Sequence, residues 1–233
     1  MSIEWITFDL DDTLWAVEPV IVRAEEQFYQ WLSRHCPRVT AQFDRLQLMA
    51  HRREFTNRFP EQHHDLTTMR KRWIAHIFEQ FDYRELSVDD AFRFFWEHRN
   101  EVELFDEVVP AMERLRTQYR LGVITNGNAC VQQIGIDHWF EFVVSSEAAG
   151  HSKPAPQIFH NALGYAGVEP SKVVHVGDDP SKDVLGAAAI GMRTVWYNPD
   201  SSPWPEADRS EEVPDQTINS MSQIHDALQR IAG

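Results

Sequence analysis

The chain has 233 residues, 42% of them hydrophobic and 25% charged, a balance that supports a buried core and argues against general disorder. Its formal net charge of −14 argues against nucleic acid and anionic membranes as partners, since both recruit basic surface. No run of about 18 apolar residues occurs, so no transmembrane helix is expected.

In chain order, Met1 to Ile6 leads straight into a strand-like segment, without a basic leader or cleavage site. Residues 4–10 read as a short buried strand ending in acidic residues. Pro19 then suits the first turn of a helix, in which Ile21, Ala24, Phe28, Trp31 and Leu32 recur at helical spacing. Helical patterns continue through Phe43, Leu46, Leu48 and Phe55, then Met69, Trp73, Ile77 and Phe78, then Val88, Ala91, Phe92 and Phe95, with no convincing strand between about 17 and 100. From residue 106 strands and helices alternate. Strands are expected at 121–125, 141–145, 172–176 and 193–197, and helices at 108–118, 155–166 and 181–189. The Pro- and Ser-rich segment 198–214 reads as a loop and 221–232 as a terminal helix. Such alternation implies a parallel, Rossmann-like α/β sheet, which binds ligands at the carboxyl ends of its strands. The expected partition is an α/β core from 1–16 and 101–233, with an all-helical insert over 17–100. The insert is nearly neutral, so the negative charge resides in the core. Cys36 and Cys130 match no metal-site spacing and are expected to be free thiols in a reducing cytoplasm.

Four short segments fall at or just beyond the ends of expected strands. Asp9 and Asp11, at i and i+2 on a strand, share a face and can approach the same ligand. Crowded carboxylates repel unless a proton or cation relieves them, and hard oxygen ligands favour Mg²⁺. An isolated D-x-D is more often a solvated acidic turn. Thr125 and Asn126, followed by Gly127, offer a hydroxyl and backbone N–H groups suited to phosphate, though T-N-G is also a common turn. Lys153 and Lys172 are the only basic residues between Arg120 and Lys182; Lys153 is either a phosphate partner or a surface lysine. Asp178 and Asp183 follow another strand, where Gly177-Asp178-Asp179 equally suits a turn with a helix N-cap. The joint occurrence of all four at the ends of one sheet is what points to a site.

Together these segments resemble the four motifs of the haloacid-dehalogenase superfamily, across essentially the whole chain, with the helical insert in the place of that superfamily's smaller cap. The resemblance implies a phosphatase in which Asp9 is the nucleophile and a Mg²⁺ ligand. Asp11 would protonate the leaving alcohol and then activate water, with its backbone carbonyl on the metal. Asp178 would be a further ligand and Asp183 would stand behind the ligands. Thr125 and Asn126 would hold the phosphoryl oxygens, and Lys153 would neutralise charge on phosphate and Asp9. The superfamily's dehalogenase branch lacks the second aspartate, and its mutase branch usually has Gly-Val where this chain has Asp12-Thr13; both points favour a phosphatase. Phosphomonoester hydrolysis can require up to about 10²¹-fold acceleration, against ~10²–10⁴ for one acid/base group, so metal, covalent step and charge clamp are all needed.

A closer resemblance is to bacterial phosphatases acting on FMN and on 5-amino-6-(5-phosphoribitylamino)uracil. It rests on Phe8–Leu14 with Pro19-Val20, His64-Asp65 with Arg70, Ile124–Ala129 and His175–Asp179. A planar heterocycle would stack on an aromatic such as Trp15, for which packing at the junction with the cap is an equal alternative. Arg70 or His64 would reach a polar group of the substrate, or serve on a solvated helix face or in a cap hydrogen bond. The expected partner is a small phosphate ester, bound by a monomer or homodimer. A sugar-phosphate mutase and a catalytically silent binding protein are the competing readings.

Overall fold

The computed structural model describes residues 2–205 and 214–233; of the loop expected over 198–214, residues 206–213 lie outside the described residues. The chain divides into two compact units, one from Met1–Ala16 with Glu103–Gly233 and the other from Val17–Val102.

The second unit is entirely helical: α1 (Val17–His35), α2 (Pro37–Gln42), α3 (Arg45–Thr56), α4 (Leu66–Gln80) and α5 (Val88–Arg99). Its apolar faces meet in one core of Phe28, Leu32, Leu48, Met69, Trp73, Ile77 and Phe95, where Phe28 contacts the rings of Trp31, Trp73 and Phe95. Caps fix where the helices begin. Asp44 and Gln47 form a reciprocal capping box at α3. Asp65 accepts from the Thr68 N–H at α4, and Ser87 from the Asp90 N–H at α5.

The first unit runs β1 (Trp5–Phe8), α6 (Val108–Leu115), β2 (Arg120–Thr125), α7 (Val131–Ile134), β3 (Phe142–Ser145), α8 (Ser146–Ala149), α9 (Pro156–Ala166), β4 (Val173–Gly177), α10 (Gly186–Ala188), β5 (Arg193–Tyr197), β6 (Gln216–Ile218) and α11 (Ile224–Ala232). The six strands form one parallel sheet in the order β3-β2-β1-β4-β5-β6. The central strands β1 and β4 are buried throughout, as expected for a parallel sheet covered on both faces. The chain runs outward from β1 through β2 and β3, then returns to place β4 on the other side of β1. That reversal opens a crevice at the carboxyl ends of β1 and β4.

Two local expectations change. The strand β6 was not foreseen: Gln-Thr-Ile is too short for alternation to register, and only its pairing with β5 makes it a strand. The helix expected over 181–189 is instead a wide π-type turn, Pro180–Leu185, followed by α10. No helix among the described residues is long and apolar enough to cross a membrane.

Gly122 of β2 lies beneath the Phe142 ring of β3, so a Cβ there would fall within the ring's van der Waals envelope. Gly122→Ala is expected to cost about 1–3 kcal/mol of unfolding free energy, read from denaturant midpoints, and Phe142→Leu in the same chain to recover part of it. An unshifted midpoint for Gly122→Ala would contradict this packing.

Candidate active site

The crevice is lined by Asp9, Asp11, Thr125, Asn126, Lys153, Asp178 and Asp183, together with Asp12, Gly127, Asp179 and Lys182. Seven residues expected from the sequence thus meet in one place. Their positions follow from the strand ends. Asp9 directly follows β1, and its N–H donates to the Val176 carbonyl of β4 at 2.9 Å. Thr125 ends β2, and Asp178 is the first residue after β4. Asp11 differs from expectation in one respect. β1 ends at Phe8, so Asp11 reaches the crevice through a turn rather than by strand alternation. The Thr13 and Leu14 N–H groups both donate to the Leu10 carbonyl, and Asp12 takes a left-handed φ of 58°.

Lys153 is the hub. Its ammonium, 4% exposed, donates to Asp9 Oδ1 at 2.7 Å, Asp183 Oδ1 at 2.6 Å and the Ile124 carbonyl at 2.8 Å. Three N–H donors find three acceptors, the complete set for an ammonium. Its backbone is clasped from both sides by one amide: the Lys153 N–H donates to Asn126 Oδ1 at 2.7 Å, and Asn126 Nδ2 donates to the Lys153 carbonyl at 3.0 Å. The Asn126 side chain therefore serves Lys153, and the backbone N–H is what this residue has for an anion. Thr125 Oγ1 accepts from the Gly127 N–H at 3.0 Å, which leaves its hydroxyl proton to donate.

Asp183, 2% exposed, gathers the donors around it. Oδ1 also faces His175 Nε2 at 3.1 Å, and Oδ2 accepts from the Asp179 N–H at 3.0 Å. The other nitrogen of His175, Nδ1, lies 2.9 Å from Thr7 Oγ1. A carboxylate only accepts, so Nε2 carries the proton and the Thr7 hydroxyl donates to Nδ1. Asp178 Oδ1 accepts from Thr13 Oγ1 at 3.2 Å, and its carbonyl from Trp196 Nε1 at 2.8 Å. From the sequence Thr7 carries no assignment, and His175 enters only within the segment His175–Asp179, without a role of its own. The available signal was two polar residues within apolar strands, which β1–β4 pairing sets opposite one another.

The electrostatics follow from burial and from competition for one ammonium. Burial pushes the Asp178 carboxyl up to about 7, with the charges of Asp183 and Asp12 adding to it. Burial likewise raises Asp9, which Lys153 opposes and Asp183 reinforces. For Asp183 burial acts upward too, but Lys153 and His175 reverse it and hold the carboxyl below its ordinary range. Burial would lower Lys153, yet Asp183 and Asp9 more than compensate and keep it charged. His175 is lowered by burial, consistent with a neutral ring. Asp183 thus holds the larger share of the ammonium, and Asp9 and Asp178 are short of positive charge.

Oxygen atoms of Asp9, Asp178 and Asp183 lie within 4.8 Å of one another, and an all-oxygen set with excess negative charge fits a hard divalent cation. Both oxygens of Asp183 already accept hydrogen bonds, so Asp9 and Asp178 are the better direct ligands.

Three further candidates remain, one beside the crevice and two within the helical unit. The Trp15 indole is fully buried and its Nε1 donates to Asp11 Oδ1 at 3.0 Å, so it presents no face on which a heterocycle stacks. Arg70, for which a substrate contact, a solvated helix face or a cap hydrogen bond is expected, is 7% exposed; its Nη2 donates to Glu25 Oε1 at 2.6 Å, beside Arg52 on the same oxygen, and its guanidinium covers the Phe95 ring. A carboxylate 45 positions away in sequence, on α1 and invisible to local pattern, draws it inward. His64 is half-buried in the turn before α4.

The sequence profile of haloacid dehalogenase-like hydrolases matches residues 3–191. The chain is 30% identical over 223 residues to the 5-amino-6-(5-phospho-D-ribitylamino)uracil phosphatase YigB of Escherichia coli, covering 94% of this chain and 93% of that one. It is 32% identical over 211 residues to the glyceraldehyde 3-phosphate phosphatase of Pyrococcus abyssi, covering 84% and 81%. A crystal structure described as a 2-haloacid dehalogenase from Pseudomonas syringae superposes with a TM-score of 0.89 at 37% identity, over 98% of this chain and 99% of the other. One described as a HAD phosphatase from Thermococcus onnurineus gives 0.69 at 26% identity, over 97% and 98%.

Unfolded, Asp9 and Asp178 lose their protons near pH 4, whereas folded Asp178 keeps its proton to about 7 and Asp9 is raised in the same direction. The folded state binds more protons across that window, so stability in chelator is expected to fall as pH rises from about 4.5 to 7. Asp183 is ionised in both states there and adds no slope. Thermal melts in EDTA should show the decline, Mg²⁺ should reverse it by binding ionised carboxylates, and Asp178→Asn should flatten it. A melting temperature that climbs through this window in EDTA would contradict the assigned shifts.

Proposed function

The chain belongs to the haloacid dehalogenase-like hydrolases, and from that premise we propose that it hydrolyses small phosphate monoesters with a divalent metal, through a phosphoryl group carried on Asp9. The observation that carries this reading is the Lys153 ammonium 2.7 Å from Asp9, with Asp178 and Asp183 beside it and Asp11 on the same crevice.

In the first step an oxygen of Asp9 bonds to phosphorus as the ester P–O bond breaks. Asp11 gives its proton to the departing alkoxide. In the second step Asp11, now a base, takes a proton from water; the new oxygen–phosphorus bond forms, Asp9 is released and phosphate departs. The Thr125 hydroxyl and the Asn126 N–H donate to the phosphoryl oxygens. Lys153 offsets charge on Asp9 and on the phosphoryl group from a fixed, dehydrated position, where such stabilisation is strongest. Attack requires ionised Asp9, which burial opposes. Asp9 and Asp178, with the Asp11 carbonyl, would hold a divalent ion, which would supply positive charge favouring ionised Asp9 and offsetting the phosphoryl group. Asp183 fixes Lys153 from behind, and His175 and Thr7 fix Asp183.

The likeness to the Escherichia coli enzyme supports a ribitylaminouracil phosphate as substrate, beside the FMN that the sequence resemblance implies; that to the archaeal enzyme makes a triose phosphate the alternative. A second reading, halide displacement from a 2-haloacid, is raised by the 37% identical structure. Halide leaves as a stable anion and needs neither a proton nor a metal, so that chemistry gives Asp11 no task as an acid and Asp178 none as a metal ligand. Transfer to a sugar phosphate would use the same attack with an alcohol in place of water, and the products distinguish it.

With Mg²⁺, the protein is expected to release inorganic phosphate from a panel containing FMN, ribitylaminouracil phosphate and glyceraldehyde 3-phosphate, ranked by kcat/KM. Asp9→Asn should lose at least about 10³-fold in kcat while remaining folded, and EDTA should silence the wild type. Halide released from 2-chloropropionate without phosphatase activity, or an Asp9→Asn variant that still turns over, would defeat the proposal. His175→Phe is expected to lower kcat about 10-fold or more by loosening Asp183 and Lys153, with His175→Gln retaining more because its amide keeps a donor; equal activity in both would remove His175 from the account.

A further inference from the structure

We propose that Trp15 is the positioning residue of the acid/base step: its indole N–H holds the Asp11 carboxyl in the orientation that delivers a proton to the leaving group. This rests on the phosphatase reading of Asp9 and Asp11. Asp11 stands on a turn beyond the end of β1, where strand alternation no longer orients its side chain. Trp15 Nε1 donates to its Oδ1 at 3.0 Å from a fully buried indole.

The donor is itself fixed. The Asp12 N–H donates to the Trp15 carbonyl at 2.8 Å, closing the turn that carries Asp11. Trp15 is bridged antiparallel to Leu104, and the Phe105 N–H donates to the Leu14 carbonyl at 3.0 Å. The indole therefore stands in a frame made by two segments of chain far apart in sequence, and its single proton is directed at Asp11. A buried indole N–H without a partner costs about 1–3 kcal/mol, so the contact is favoured from the Trp15 side as well. With Oδ1 occupied as an acceptor, the transferable proton of the acid form is favoured on Oδ2. It moves to the bridging ester oxygen as that oxygen leaves phosphorus and Asp9 bonds to it.

The role predicts a dependence on the leaving group that packing alone would not produce. An alkyl phosphate expels a strongly basic alkoxide and needs the proton; p-nitrophenyl phosphate expels a stabilised phenolate and scarcely does. Trp15→Phe, and a chain with benzothienylalanine at 15, in which sulfur replaces the N–H at nearly constant ring size, are compared with wild type using kcat/KM for a series of aryl and alkyl phosphates. The expected loss is about 10–100-fold for alkyl esters, shrinking to a few-fold for p-nitrophenyl phosphate, with KM little changed. Asp11→Asn provides the reference. If it shows the leaving-group dependence and the Trp15 variants do not, losing activity uniformly or not at all, the proposal fails and the phosphatase reading stands. If Asp11→Asn itself hydrolyses alkyl esters normally, the acid/base reading fails first. The benzothienyl chain decides the matter should the Phe variant not fold.

Discussion

Everything in the crevice depends on one buried ammonium shared between two carboxylates. Placing Lys153 in the interior beside Asp9 and Asp183 costs several kcal/mol per ion in lost hydration. It is tolerated because each of its hydrogens has an acceptor within 2.8 Å. The sharing is unequal. Asp183 has further donors from His175 and the Asp179 N–H, so it holds its charge, while Asp9 is left inclined to keep a proton. Of the two carboxylates that share the ammonium, Asp9 is thus the one left short of positive charge.

The sheet makes this arrangement possible by setting three strand ends side by side. β1 ends before Asp9, β2 ends at Thr125 and β4 ends before Asp178, and adjacent parallel strands lie about 4.8 Å apart. The same pairing places Thr7 opposite His175 inside the sheet, which supports Asp183 from below. Gly177 belongs to this construction: a Cβ there would occupy the space of the Asp183 carboxyl. Charge at the floor of the crevice is thus positioned by strands and a tight turn rather than by mobile loops.

The helical unit is built on other terms. Its stability comes from an aromatic core and well-formed caps, and its buried charges answer one another, with Glu25 accepting from both Arg52 and Arg70. Removing that carboxylate would leave two guanidiniums without their shared partner. Arg70 therefore has a structural reason to be where it is, apart from any contact with a substrate.

Read locally, the sequence by itself determined the alternation of strands and helices after residue 106, the helical character of the long insert, and seven of the polar residues that line the crevice. These depend on period, turn chemistry and position at strand ends, which neighbours in the chain settle. The short β6 strand escaped because three residues carry no period. Only the tertiary structure decided which carboxylate keeps the ammonium, that the Asn126 side chain serves Lys153, that Trp15 faces Asp11 rather than a ligand, and that Arg70 turns inward to Glu25. Lys153 meets Asp9 across 144 positions and Thr7 meets His175 across 168. Proton affinity and hydrogen-bond choice are set by such distant partners and by the water excluded around them, and no window of sequence contains either.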